Sequence, residues 1–263
     1  MPMNKEWLHR VKRWETALWE TCYRPLAELS LFGFTTFKHL TPGQALDYPF
    51  DPMPPGKPWG AKWEYGWFKT RLVVPPDAAG KRLVFTAEPA SQEPSPGECL
   101  VWVNGKAVGS LSWARHYITL DTNAKPGTEF DILIEAYAGH GKLLIGGGPH
   151  PYDAVRVPEP PAMQCVVGPT SFGIWREGVY QLAVDFSTLF DIHNGTDPLS
   201  LRVSEIAQGL MDATLLVDPE LPEAEYLASA LLARERLKPL LACTNGATAP
   251  SLYAFGHAHL DIA

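Results

Sequence analysis

Val101-Trp102-Val103-Asn104-Gly105-Lys106-Ala107-Val108-Gly109 is the stretch that decides the fold class. Asn-Gly between two runs of strand-forming residues predicts a two-residue type I′ hairpin, because both turn positions need positive φ. Working outward, hydrophobic residues recur at a period of two. Upstream lie Trp67-Phe68-Lys69-Thr70-Arg71-Leu72-Val73-Val74, Arg82-Leu83-Val84-Phe85-Thr86-Ala87 and Cys99-Leu100. Downstream lie Tyr117-Ile118-Thr119-Leu120 and Phe130-Asp131-Ile132-Leu133-Ile134-Glu135-Ala136, separated by the turn Lys125-Pro126-Gly127. Short strands at near-regular spacing with such turns predict a β-sandwich of jelly-roll type over 59–172.

The flanks have other periods. Residues 1–32 read as a helical segment: Trp7, Leu8, Val11, Trp14, Leu18, Cys22, Leu26 and Leu29 recur at steps of three and four, with a break expected just before Pro25. From 33 to 58 the run of Pro42, Pro49, Pro52, Pro54, Pro55 and Pro58 opposes regular structure and predicts a connector wrapped over a surface. Gly146-Gly147-Gly148-Pro149-His150-Pro151 lacks the Gly-Lys-Ser/Thr ending of a phosphate loop and reads as a turn. Gln164 to Gly168 is expected to return a last strand to the sandwich. Residues 173–245 then read as a bridge of three helices. The first carries the stripe Val179, Leu182, Ala183, Phe186, Leu189 and Phe190. The second is capped by Asp197 with Pro198 following, and the third starts at Leu221-Pro222-Glu223 and carries Leu227, Leu231, Leu232 and Leu237, its end disturbed by Pro239.

Composition narrows the function classes. At 263 residues and 46% hydrophobic content the chain can build substantial cores, and its formal charge of −7 with pI near 5.6 argues against nucleic acid or an anionic membrane surface as partner. No ~18-residue apolar span predicts a membrane crossing, and no signal-peptide core follows the N-terminus. Cys22, Cys99, Cys165 and Cys243 share no zinc-type or redox spacing, so four reduced thiols and a cytoplasmic location are expected.

Chemistry concentrates in Leu252-Tyr253-Ala254-Phe255-Gly256-His257-Ala258-His259-Leu260-Asp261-Ile262-Ala263. In a strand, alternate side chains share a face, so His257, His259 and Asp261 would project together. Two imidazoles and a carboxylate suit zinc or a neighbouring first-row divalent ion. A chance triplet of solvated side chains is the plain alternative. Metallo-β-lactamase-like hydrolases continue this pattern with His where this chain has Ile262, and amidohydrolases do not need the Asp.

The alternating segments from Trp67-Phe68 to Ala136 resemble the galactose-binding-like sandwich that accompanies many glycoside hydrolases. Ala254-Phe255-Gly256-His257-Ala258-His259-Leu260-Asp261-Ile262-Ala263 in turn resembles the opening of the catalytic domain of glycoside hydrolase family 38, the zinc-dependent α-mannosidases. The order of helical segment, sandwich and helical bridge is similar to the cytosolic-type members. This resemblance implies a mainly β fold with α, in which 246–263 is the first strand of a truncated (β/α)7 barrel. It implies zinc, with cobalt or another divalent metal open, held by His259 and Asp261, while His257 takes a position that is not usually a direct ligand. It implies retaining hydrolysis of terminal α-linked mannose from oligosaccharides, with nucleophile and acid/base beyond the end of this chain, so no catalytic residue is assigned within it and the fragment is expected to be inactive. Self-association into a homo-oligomer is left open. The alternative reading is a non-catalytic carbohydrate-binding or assembly module. Trp59, Trp63, Tyr65, Trp67, Trp102, Trp113 and Tyr117 could stack on sugars, although core or interface roles are expected for most of them.

Overall fold

A computed structural model describes residues 3–91, 97–112, 115–139, 162–242, 253, 254 and 256. The described chain is mainly β with a few helices, and it divides into two compact units, one spanning 21–177 and the other combining residues 1–20 with those from Gly178 onward.

The first unit is the sandwich. Its strands in chain order are β1 Tyr23–Glu28, β2 Phe32–Thr36, β3 Asp51–Pro52, β4 Pro58–Trp59, β5 Tyr65–Val73, β6 Leu83–Ala87, β7 Cys99–Val103, β8 Lys106–Leu111, β9 Ile118–Asp121, β10 Glu129–Tyr137, β11 Cys165–Val166 and β12 Thr170–Trp175. A four-stranded sheet runs β1-β12-β6-β9, a six-stranded sheet runs β3-β2-β5-β10-β7-β8, and β11 pairs with β4. Every pairing between these strands is antiparallel. The hairpin at Asn104-Gly105 forms as its chemistry requires, with φ of 50° and 76° and Val103 opposite Lys106. Asn104 also locks the turn to the neighbouring strand: its backbone N–H donates to Asp131 O at 2.8 Å, and its Oδ1 accepts from Asp131 N at 2.9 Å.

Alternation along β5 and β10 separates two faces of the six-stranded sheet. Phe68, Leu72, Ile132 and Ile134 point inward to a core shared with Leu83, Phe85, Ile118 and Phe172. Trp67 and Leu133 face outward and are buried in a second layer with Leu40 and Ala45, against which Phe34, Tyr48, Phe50 and Trp102 pack. That layer comes from the Pro-rich stretch, which includes the short helix α2, Pro42–Leu46. Thr41 and Gln44 close a capping box there, Gln44 N donating to Thr41 Oγ1 at 3.4 Å and Thr41 N to Gln44 Oε1 at 2.9 Å.

The second unit is helical, built from α1 Lys5–Thr21, α3 Glu177–Gly195, α4 Leu201–Leu216 and α5 Glu223–Leu241. Although α1 is far away in sequence, Arg10 Nε donates to Thr214 Oγ1 at 2.9 Å, Arg10 Nη2 donates to Thr214 O at 2.8 Å, and Trp19 packs edge-on against Tyr180 at 5.7 Å. Arg234 of α5 reaches Asp185 of α3 at 2.7 Å, and Arg236 reaches Asp212 of α4 at 2.8 Å. The stripe Val179, Leu182, Ala183, Phe186, Leu189 and Phe190 is buried as its period demands.

Several local expectations are corrected. The helical segment 1–32 stops at Thr21; Pro25 and Leu26 lie in β1, where Pro is tolerated because β1 is an edge strand with a bulge between Pro25 and Ala27. The connector 33–58 supplies β2, β3 and the start of β4. The sandwich extends past residue 172, since β12 runs to Trp175 between β1 and β6. Ser200, not Asp197, caps α4, its Oγ accepting from Val203 N at 3.2 Å, while Asp197 Oδ1 accepts from Leu199 N in the preceding turn. On α5 the buried stripe is Tyr226, Ala230, Ala233, Leu237 and Leu240, whereas Leu231 and Leu232 are exposed. The helix passes through Pro239 to Leu241, the proline lying in its last turn.

Candidate functional site

His257, His259 and Asp261 lie outside the described residues, as does Trp113. Among the described residues no group of three or more His, Cys, Asp or Glu side chains is placed to hold a metal ion, and no helix is long and apolar enough to cross a membrane. The cysteines described, Cys22, Cys99 and Cys165, are buried free thiols. Burial pushes the Cys99 thiol up to about 12 and the Cys22 thiol up to about 11, opposite to what a nucleophile or metal ligand needs.

The aromatic residues singled out in the sequence separate by face. Trp59 and Trp67 are buried, Trp59 donating its indole N–H to Pro89 O at 2.7 Å inside the sandwich. Tyr117 stacks at a tilt on Trp175, 4.2 Å between centroids. Tyr65 and Tyr137 are cross-strand neighbours on the outer face, stacked at 4.8 Å, with Trp63 beyond Tyr137 at 6.4 Å. Trp63 carries φ of 67°, a conformation that costs a bulky residue energy, and its N–H donates to Gly139 O at 2.7 Å. Beside this row, Glu135 is raised from the usual carboxylate range by burial, an effect opposed by the charge of His39.

A groove of about 940 Å³ occupies the other end of the outer face. Its lining comes from four places: Lys69 and Arg71 on β5, Asp131 and Leu133 on β10, Trp102 with the Asn104-Gly105 turn after β7, and Phe32 with the α2 residues Pro42, Gly43 and Leu46. Alternation along β5 and β10 is what places Lys69, Arg71, Asp131 and Leu133 on one face. Trp102 is stacked on the buried Trp67, 5.6 Å between centroids at 27°, which fixes its ring. Arg71 is held between two carboxylates, Nη2 at 2.6 Å from Glu129 Oε2 and Nε at 3.1 Å from Asp131 Oδ1. Lys69 Nζ stands 4.1 Å over the Phe50 ring. A concave surface with apolar walls and a few convergent polar groups is the arrangement that binds small molecules. Sequence reading singled out Trp102 but missed Lys69, Arg71 and Asp131; their strand parity was the available signal, and it tells nothing of which stretch covers the outer face.

Comparison with known proteins gives a consistent answer. The family model described as alpha-mannosidase, jelly roll domain, matches residues 25–150. Alpha-mannosidase 2C1 of Mus musculus is 24% identical over 239 residues, 89% of this chain and 21% of that protein. Alpha-mannosidase 2C1 of Homo sapiens is 26% identical over 242 residues, 91% of this chain and 22% of that protein. The chain thus spans about a fifth of the length of these relatives. Among solved structures, a β-glucuronidase from Ruminococcus gnavus in complex with uronic deoxynojirimycin superposes with a TM-score of 0.39 at 12% identity, covering 58% of this chain and 29% of that one. That likeness is too low to add to the strand order itself. The chain is thus similar to alpha-mannosidases over about nine-tenths of its length, and within it residues 25–150 match the jelly roll domain of that family.

Proposed function

We propose that this chain is part of a retaining α-mannosidase that releases terminal α-linked mannose from oligosaccharides in the cytoplasm, with a zinc ion in a catalytic domain that begins near residue 246. The observation that carries the reading is the kinship to alpha-mannosidase 2C1 along nine-tenths of the chain, together with the jelly roll match. His259 and Asp261 are the proposed metal ligands, and their donor chemistry suits zinc, with cobalt as a substitute. A retaining mechanism needs one carboxylate as nucleophile and a second carboxyl group as acid and base. Bound zinc would supply a grip on vicinal sugar hydroxyls that favours a distorted ring. His259 binds metal as neutral imidazole and Asp261 as carboxylate, so metal affinity falls as pH drops and protons compete. The 263-residue chain alone is expected to be inactive, because two ligands do not close a site.

The test uses the whole enzyme with an aryl α-mannoside. His259→Ala and Asp261→Ala should each remove the stoichiometric metal measured by elemental analysis and lower kcat/KM by more than about a hundredfold, the scale of losing a metal-based term. Full metal content and full activity in both variants would refute the ligand assignment.

A further inference from the structure

We propose that the groove on the outer face of the six-stranded sheet is a binding site for a neutral saccharide chain. A pyranose ring presents apolar C–H faces and a rim of hydroxyls. Its recognition therefore calls for a flat, fixed aromatic ring beside donors and acceptors that are already held in place. The groove supplies both. Trp102 is pinned from behind by Trp67 at 5.6 Å and lines the groove. Leu46 on α2 is 58% exposed and also lines it, an apolar contact at the rim.

The polar groups lie on the exposed ends of β5 and β10 and on the turn after β7. Arg71 is clamped through Nη2 and Nε by Glu129 and Asp131, which leaves Nη1 with no partner among the described residues. Asn104 spends Oδ1 on the Asp131 N–H, which leaves its amide N–H groups to donate. Lys69 has no carboxylate partner among the described residues, its ammonium resting over Phe50. Charge then selects the ligand class: of the charged lining residues Lys69 and Arg71 face Asp131, and Glu129, outside the lining, pairs with Arg71, so groove and rim together carry no net charge for an anion to neutralise. Its volume of about 940 Å³ falls in the upper part of the roughly 300–1,000 Å³ range of small-molecule sites, with room for more than one ring. The choice of mannose as the sugar rests on the function proposed above; the preference for a neutral polyhydroxylated chain rests on the groove.

The 263-residue chain is titrated with α-linked mannobiose and, separately, with cellobiose, followed by calorimetry and tryptophan fluorescence. Saturable binding of at least one disaccharide at millimolar concentration is expected. Trp102→Ala and Leu46→Arg should each weaken it by about tenfold or more. Leu46 is exposed, so its variant keeps the fold even if Trp102→Ala unsettles the layer beneath, and circular dichroism checks both. Binding of cellobiose with no binding of mannobiose supports the groove and overturns the choice of mannose as its sugar. Binding of neither disaccharide, or affinity unchanged in Leu46→Arg, overturns the groove and leaves the metal reading to its own test.

Discussion

The two faces of β5 and β10 are made by the same strands and serve opposite ends. Inward, Phe68, Leu72, Ile132 and Ile134 are apolar, Thr70 is the buried polar residue among them, and the face is closed over by the four-stranded sheet. Outward, Trp67 and Leu133 alternate with Lys69, Arg71, Asp131 and Glu135, and only part of that face is covered. The inner face is packed by a sheet, which cannot move without breaking ladders of hydrogen bonds. The outer face is packed by a short helix and a Pro-rich stretch, which can. A nearly uniform hydrophobic face specifies a core, and a mosaic face leaves room for a surface that binds.

The sharpest way to break this comparison is to hollow out each face in turn. Phe68→Ala should cost about 3–5 kcal/mol in urea unfolding, since rigid sheets on both sides cannot collapse into the void. Leu133→Ala should cost about 2 kcal/mol, the lower end of its class, because residues 37–50 can settle over the gap. Equal losses would mean that the outer layer is as rigid as the core. The smallest effect has the opposite sign. Glu135 has a raised carboxyl pKa in the folded chain, so its charged form costs stability at neutral pH, and that cost disappears as pH falls through the folded value toward the unfolded one. Glu135→Gln should therefore raise the melting temperature at pH 7 and match the parent near pH 4, while a variant less stable at pH 7 contradicts the reading of Glu135 as a desolvated carboxylate.

The legible parts of the fold were those in which local chemistry and tertiary packing agree. Period-two alternation marked β5, β6, β7 and β10, the Asn104-Gly105 turn marked its hairpin, and the α3 stripe marked a buried helix face. Illegible parts were those in which partners far along the chain decide. Leu26 and Leu29 continue the helical spacing of α1, yet β12, about 150 residues later, draws this segment into a sheet. Leu231 and Leu232 look like core residues, but small residues, Ala230 and Ala233, take the buried positions and let the helices approach closely. Of the candidate site, Trp102 was legible as an aromatic residue and its groove was not, because grooves are made by whatever covers the rest of a face. His259 and Asp261, read from the sequence as metal ligands, lie outside the described residues.

The contact of Arg10 with Thr214 joins residues 204 positions apart. On a ribosome adding about 5–20 residues per second, α1 is finished roughly 10–40 s before its hydrogen-bonding partner exists. During that interval residues 21–177, the whole of the other unit, are synthesised. A segment made before the sandwich is thus hydrogen-bonded to its partner only after the sandwich is complete.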